Sequence, residues 1–436
     1  MFLGYDELLV YRNMNNDGIL KSICRIIEAR QRKKDNIKEY RAEAISAFGK
    51  LIDMSEKYGF YGNLWAVYLT HMMVNSENAF SLACEIGGNA EGSISDLVIH
   101  DMEIMMDIFH ADIAGLIKDL GLTSLKCVLD YSPLHSSYIY NLRIRDRICI
   151  LAEDMMEAPK PGQMKGVITS FYKQFGVGKL GLHKAFRLDI DHKENMSIEP
   201  IQKIPQVTLA DLVGYESPKQ KLVENTEAFL NGKPANNCLL FGDAGTGKSS
   251  SIKAIANEYY VQGLRVIEVY RHQFAYINEL ISEIKNRNYK FIIYLDDLSF
   301  EDFETEYKYL KAVIEGGLEK KPDNVLIYAT SNRRHLIKET VSDRDDRDEE
   351  MHRSDSMAEK LSLAQRFGVS IYFGFPSKKE FDEIVLTLAH RSGITMSDEE
   401  LLAEANKWEL SHGGRSGRIA RQFIDHLLGM KSSERE

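Results

Sequence analysis

Along residues 1–190 the apolar side chains recur at spacings of three and four, as in LWAVYLTHMMV and DLVIHDMEIMMDIFHADIAGLIKDL, and this periodicity predicts an all-helical N-terminal domain. Residues 191–206, DHKENMSIEPIQKIPQ, are polar and proline-bearing and read as a linker. The pattern then changes. CLLF, LRVIEV, FIIYL, NVLIYAT and VSIYFGF are short β-rich runs separated by helical segments, so residues 207–375 read as an α/β core built on a parallel sheet. From 376 to 436 only helices are evident, opened by Ser377, Ser397 and Ser416 as N-caps, and they read as a small helical lid.

With 436 residues, 44% hydrophobic and 28% charged, the chain is globular and long enough for two or three cores. The 55 basic and 65 acidic residues leave a net charge of −10, so nucleic acid is not the favoured partner and a protein client is. Cys24, Cys84, Cys127, Cys149 and Cys238 never form a CxxC pair, and they read as buried small hydrophobes. The N-terminus lacks a basic, apolar leader and no apolar run is long enough to span a membrane, so the expectation is a cytoplasmic protein without a membrane partner.

The chemistry enters with GDAGTGKS, which fits G-x-x-x-x-G-K-[ST] between a strand and a helix. In such a P-loop the backbone of Gly242, Asp243, Ala244, Gly245, Thr246 and Gly247 curls around phosphates, with Ser250 at the helix start. Lys248 reaches the β and γ oxygens and the Ser249 hydroxyl ligates Mg²⁺. The run FIIYLDD ends a later apolar strand in two carboxylates, where Asp296 is expected in the Mg²⁺ shell and Asp297 polarises a water. Asn332, just past NVLIYAT, is expected to orient that water or contact the γ-phosphate, and Arg366, before the last strand, faces outward as an arginine finger for a neighbouring copy. ATP and Mg²⁺ are the implied cofactors.

Two further features carry blander readings. His100, Glu103, Asp107 and His110 share one helical stripe, which is a solvated face before it is a metal site. The charged run 342–356 reads as an exposed loop.

The order of these parts resembles the AAA+ ATPases: the P-loop at Gly242–Ser249, the Asp296-Asp297 pair, the sensor-1-like Asn332 and the finger-like Arg366. That resemblance implies that GGRSGRIARQF supplies a sensor-2 arginine, Arg418 before Arg415, and that Leu212–Tyr215, with Val213 and Gly214, flanks the adenine. It also implies a homo-oligomeric ring, with a hexamer among the candidate sizes. More narrowly, VENTEAFLNGKPANN, EYKYLKAVIEGGLE and PDNVLIYATSNRRHLIKE look like a bacterial AAA+ family designated only as a domain of unknown function, over residues 206–430. Most AAA+ members carry Asp-Glu where this chain has Asp296-Asp297, and the shorter second side chain implies slow turnover.

The expected activity is Mg²⁺-dependent ATP hydrolysis that remodels or loads a macromolecular partner. A nucleotide-gated assembly switch with little turnover and a DNA-dependent ATPase are the alternatives. The connection YRHQFAYINELISEIKNRNYK leaves little room for an aromatic threading loop, and Phe274 and Tyr276 read as core packing in it.

Overall fold

The structure is a computed structural model and describes residues 4–14, 17–32, 37–88, 90–134, 142–299, 306–315, 322–332 and 365–433. It divides into two compact units, Met1–His183 and Lys184–Glu436.

The first unit is helical, with α1 (Ile19–Gln31), α2 (Arg41–Tyr58), α3 (Leu64–Val74), α4 (Ala79–Gly87), α5 (Ser93–Phe109), α6 (Ile113–Asp119), α7 (Leu142–Glu157), α8 (Pro161–Phe175) and the short α9 (Gly178–Leu182). α3 is apolar on every side, and a helix of that kind has to be enclosed. Trp65 and Tyr68 are fully buried in it, and Trp65 Nε1 donates to the Ile108 carbonyl at 2.8 Å. Asn63 caps α3, while Asn78 and Ser81 close a capping box on α4, satisfying amides that a helix start leaves without intrahelical partners. The buried Asp101 accepts from the backbone N–H groups of Leu9, Val10 and Tyr11 and ties the N-terminal segment to α5. On the stripe of acids and histidines, the His110 ring lies between the carbonyls of Met106 and Met156, 2.9 Å from Nδ1 and 3.0 Å from Nε2, while Glu103 and Asp107 are exposed. All five cysteines are free; four are buried, but Cys127 is exposed, contrary to the sequence reading.

The second unit holds a seven-stranded sheet in the order β2-β1-β4-β5-β6-β3-β7. Its strands are β1 (Ala185–Ile190), β2 (Met196–Pro200), β3 (Cys238–Gly242), β4 (Leu264–Glu268), β5 (Lys290–Leu295), β6 (Val325–Ser331) and β7 (Val369–Phe373). Every pairing is parallel except β1 with β2. This corrects the expected boundaries: the helical region stops at Leu182, and the segment 191–206 contains a strand of the sheet instead of being a linker throughout. The alternation was there to be read. In β1, within the region expected to be helical, buried Phe186 and Leu188 alternate with exposed Arg187 and Asp189, and in β2 the buried Ile198 sits among the polar residues that read as a linker. A turn in which Asp191 accepts from Lys193 N and Asn195 N joins the two strands.

Helices α10 (Glu216–Leu230), α11 (Lys248–Tyr259), α12 (Ile277–Ile284) and α13 (Glu306–Glu315) complete the α/β core. Leu222, Phe229, Ile252 and Ile255 from α10 and α11 pack on Leu240, Ile292 and Leu326 of the sheet. Phe274 is 2% exposed and belongs to the core, which removes it as a threading residue. The charged run 342–356 lies outside the described residues.

Three lid helices follow, Lys378–Arg391, Asp398–Ser411 and Gly417–Ser433, packed around Phe381, Leu401 and Phe423. Ser377 and Ser397 cap the first two, and the Ser416 hydroxyl accepts from Ile419 N at the start of the third. The unit is thus an α/β core on a mostly parallel sheet, followed by a helical lid. Among the described residues no helix is long and apolar enough to cross a membrane.

Candidate active site

The parallel order brings the C-terminal ends of β3, β5 and β6 side by side, and the polar motifs sit just past those ends. β3 ends at Gly242 with φ 132°, where an added Cβ would lie 2.1 Å from the Phe373 carbonyl oxygen, so only glycine fits. The loop then turns through Gly245 and Gly247 into α11.

Lys248 is buried and its Nζ donates to the carbonyls of Gly242 at 3.0 Å and Asp243 at 2.6 Å. Burial lowers its pKa, and Arg418 acts in the same direction against the pull of Asp243, Asp297 and Asp296. Next to it, the Ser249 hydroxyl donates to Asp296 Oδ1 at 2.9 Å. The same oxygen accepts from Tyr294 Oη at 2.6 Å and from Thr330 Oγ1 at 2.6 Å. Burial alone would raise the Asp296 pKa, but the bonds from Thr330, Tyr294 and Ser249 outweigh it and hold the carboxyl below the usual range.

Asp297 follows in the left-handed region, with φ 49°, and its backbone N–H donates to Thr330 Oγ1 at 3.0 Å. Its carboxylate accepts from Asn332 Nδ2 at 2.8 Å. A non-glycine residue at positive φ is costly unless its surroundings fix it, and here the end of β6 does so.

These groups line a cleft of about 800 Å³ between core and lid. Leu212, Val213, Ile384 and Leu388 supply apolar lining, and Arg418 and Arg421 of the third lid helix also line the cleft. Arg415 instead pairs with Glu409 inside the lid at 2.7 Å, which separates the two sensor-2 candidates. The lid also touches the P-loop through its backbone, since Arg418 N donates to the Gly245 carbonyl at 3.2 Å.

Of the expected site residues, Ala244, Gly245, Thr246, Gly247, Lys248, Ser249, Ser250, Asp296, Asp297, Asn332, Val213 and Arg418 line this cleft. Gly242, Asp243 and Gly214 stand behind its wall; the Asp243 carboxylate turns away to accept from Phe375 N at 2.8 Å. Arg366 is half-buried before β7 and is not on the cleft of its own chain. Sequence reasoning missed Tyr294 and Thr330, two positions before Asp296 and Asn332 respectively, where strand alternation puts them on the same face as those residues. It also missed Arg421, while Tyr215, the last residue of the Leu212–Tyr215 segment, stands on the cleft wall at φ 60°.

Residues 182–431, more than half of the chain, match the family described as "Protein of unknown function (DUF815)". The chain belongs to this family. The DUF815 region spans every candidate residue above, from Val213 to Arg418. Shorter stretches are similar to curated proteins: 67 residues are 40% identical to the replication factor C large subunit of Staphylothermus marinus, covering 15% of each chain. A stretch of 160 residues is 28% identical to the cell division cycle protein 48 homolog of Archaeoglobus fulgidus, covering 34% of this chain and 17% of that one. The chain therefore spans less than a fifth of the length of either relative. Among solved structures, the Thermotoga maritima RuvB Holliday junction branch migration motor aligns with a TM-score of 0.37 and 17% identity, over 53% of this chain and 67% of that one.

Proposed function

We propose that the chain binds ATP with Mg²⁺ in this cleft and hydrolyses it to remodel or load a macromolecular partner, as a homo-oligomer in which Arg366 of one copy completes the site of the next. The observation that carries the reading is the convergence of Lys248, Ser249, Asp296, Asp297, Asn332 and Arg418 on one cleft.

The residues fit a nucleoside triphosphate and its metal. Lys248 is a buried cation that spends two of its three N–H donors on carbonyls, so the third is left for an anion at the N-terminus of α11. Ser249 and Asp296 are hard oxygen donors held side by side, the kind Mg²⁺ accepts while it keeps most of its waters. When bound, Mg²⁺ neutralises charge on the phosphate oxygens. Asp297 takes the role of polarising the attacking water, with Asn332 fixing its carboxylate. The apolar lining supplied by Leu212, Val213, Ile384 and Leu388 suits a base.

A nucleotide-gated switch is the second reading, favoured by one feature: the hydrogen bond from Asn332 already occupies one oxygen of the short Asp297 side chain. Phosphate release measured across a range of protein concentrations, with Lys248→Ala as control, separates the two. Turnover that disappears in Lys248→Ala supports the hydrolase; no turnover at any concentration, with nucleotide still bound, supports the switch.

A further inference from the structure

Asp296 receives more hydrogen bonds than a carboxylate at a strand end needs. Ser249 Oγ, Tyr294 Oη, Thr330 Oγ1 and Asp297 N all converge on the single atom Oδ1, at 2.9, 2.6, 2.6 and 3.1 Å. Among the described residues no hydrogen bond reaches Oδ2 in the same way. We infer that Tyr294, together with Thr330, is a positioning residue for the Asp296 carboxylate, turning it so that Oδ1 is saturated by protein donors and Oδ2 is left toward the cation held beside Ser249. This rests on the nucleotide and Mg²⁺ reading above.

Strand geometry makes the contact available. Side chains on β5 alternate, so Ile292, Tyr294 and Asp296 share a face, and the Tyr294 ring lies along the strand with its hydroxyl at the carboxylate. Packing does not explain the hydroxyl. The ring is buried in the same apolar layer as Ile292 and Leu326, where phenylalanine would fill the space, and a buried hydroxyl is costly unless it is bonded. Asp296 is the bond it makes. Thr330 reaches the same oxygen from β6, next to Asp296 across the β5–β6 register, and is 1% exposed. The carboxylate is therefore gripped from its own strand and from the neighbouring one.

The direction of the Ser249 bond matters as well. By donating its proton to Asp296, the Ser249 hydroxyl keeps its lone pairs for a metal ion, so one arrangement orients both oxygen donors. Groups that hold a metal's ligands in place contribute to affinity nearly as directly as the ligands, and losing one costs about 10–100-fold.

The test is a Mg²⁺ titration of the full chain at fixed fluorescent ATP analogue, paired with binding of the same analogue in EDTA. Tyr294→Phe removes only the hydroxyl. It is expected to raise half-saturating Mg²⁺ about tenfold while binding in EDTA stays at the wild-type level. Thr330→Val should shift the titration in the same direction and Thr330→Ser, which keeps the hydroxyl, should restore it. A wild-type Mg²⁺ titration in Tyr294→Phe overturns the assignment, and so does an equal loss of binding with and without Mg²⁺, which would mean the hydroxyl serves the fold of the cleft. If the wild-type chain itself binds no analogue with Mg²⁺, the nucleotide reading falls and takes this assignment with it.

Discussion

The backbone N–H of Arg418 donates to the carbonyl of Gly245 at 3.2 Å, so the third lid helix rests directly on the P-loop. Gly245 allows that approach: at φ 77° an added Cβ would come within 3.0 Å of Arg418 Cβ and Ser416 Oγ. The contact sets the Arg418 side chain on the cleft and leaves Arg415 to its bond with Glu409.

Arg418→Ala should therefore weaken ATP binding about tenfold, the loss expected for one charge-assisted bond to an anion. Arg415→Ala should leave affinity unchanged and lower lid stability by at most about 1 kcal/mol, because its ion pair is partly exposed. Isothermal titration of ATP into both variants, beside their melting curves, checks the pair. Equal losses of affinity in the two would contradict the division of roles.

Asn332 is expected to act through Asp297. Removing the amide in Asn332→Ala frees the Asp297 carboxylate, which should lower the rate of phosphate release about 10–100-fold with ATP affinity nearly unchanged. Single-turnover kinetics separate the chemical step from binding and show which of the two has moved.

Arg366, which sits before β7 and off the cleft of its own chain, is the residue proposed as a finger offered to a second copy. Specific activity should rise with protein concentration. A mixture of Arg366→Ala with Lys248→Ala, each inactive alone, should recover part of the activity, since a mixed interface joins an intact P-loop to an intact finger worth about 10³–10⁵ in rate. A mixture that co-assembles and stays inactive counts against the role.

Much of the second unit was legible because its chemistry is local in sequence. The P-loop, the strand ending in Asp296-Asp297 and Asn332 are each specified within a few residues, and apolar runs bounded by turns mark β3 to β7. What escaped was set by side-chain contacts along and across strands. Tyr294 looked like one more apolar residue of FIIYL until its hydroxyl met Asp296, and Thr330 is an ordinary strand threonine until β5 and β6 are in register. The hairpin at the sheet edge was missed for a related reason, since β1 and β2 bury little beyond Ala185, Phe186, Leu188 and Ile198 and carry Arg187, Asp189 and Glu199 between them. The choice between Arg418 and Arg415 needed the lid's packing.

The first unit carries a pH signature. His71 on α3 lies among the rings of Tyr58 and Phe60, and burial pushes its pKa down to about 4, with Asp17 opposing weakly. The folded chain thus keeps this ring neutral while the unfolded chain protonates it near the ordinary value of 6.5. Stability that is present above pH 6.5 should be lost as pH falls toward 4, by at most about 3 kcal/mol. Melting temperatures recorded across that window should fall more steeply in the wild-type chain than in His71→Phe, where nothing titrates at this position.

The central claim is that the cleft hydrolyses ATP and that Asp297 serves the chemical step. Its most direct test is to measure equilibrium ATP binding and phosphate release on the same preparation of Asp297→Asn. Binding should match the wild-type chain while release falls by about 10²-fold or more, as expected for loss of a general base. Wild-type phosphate release in Asp297→Asn, with ATP bound normally, would contradict the account.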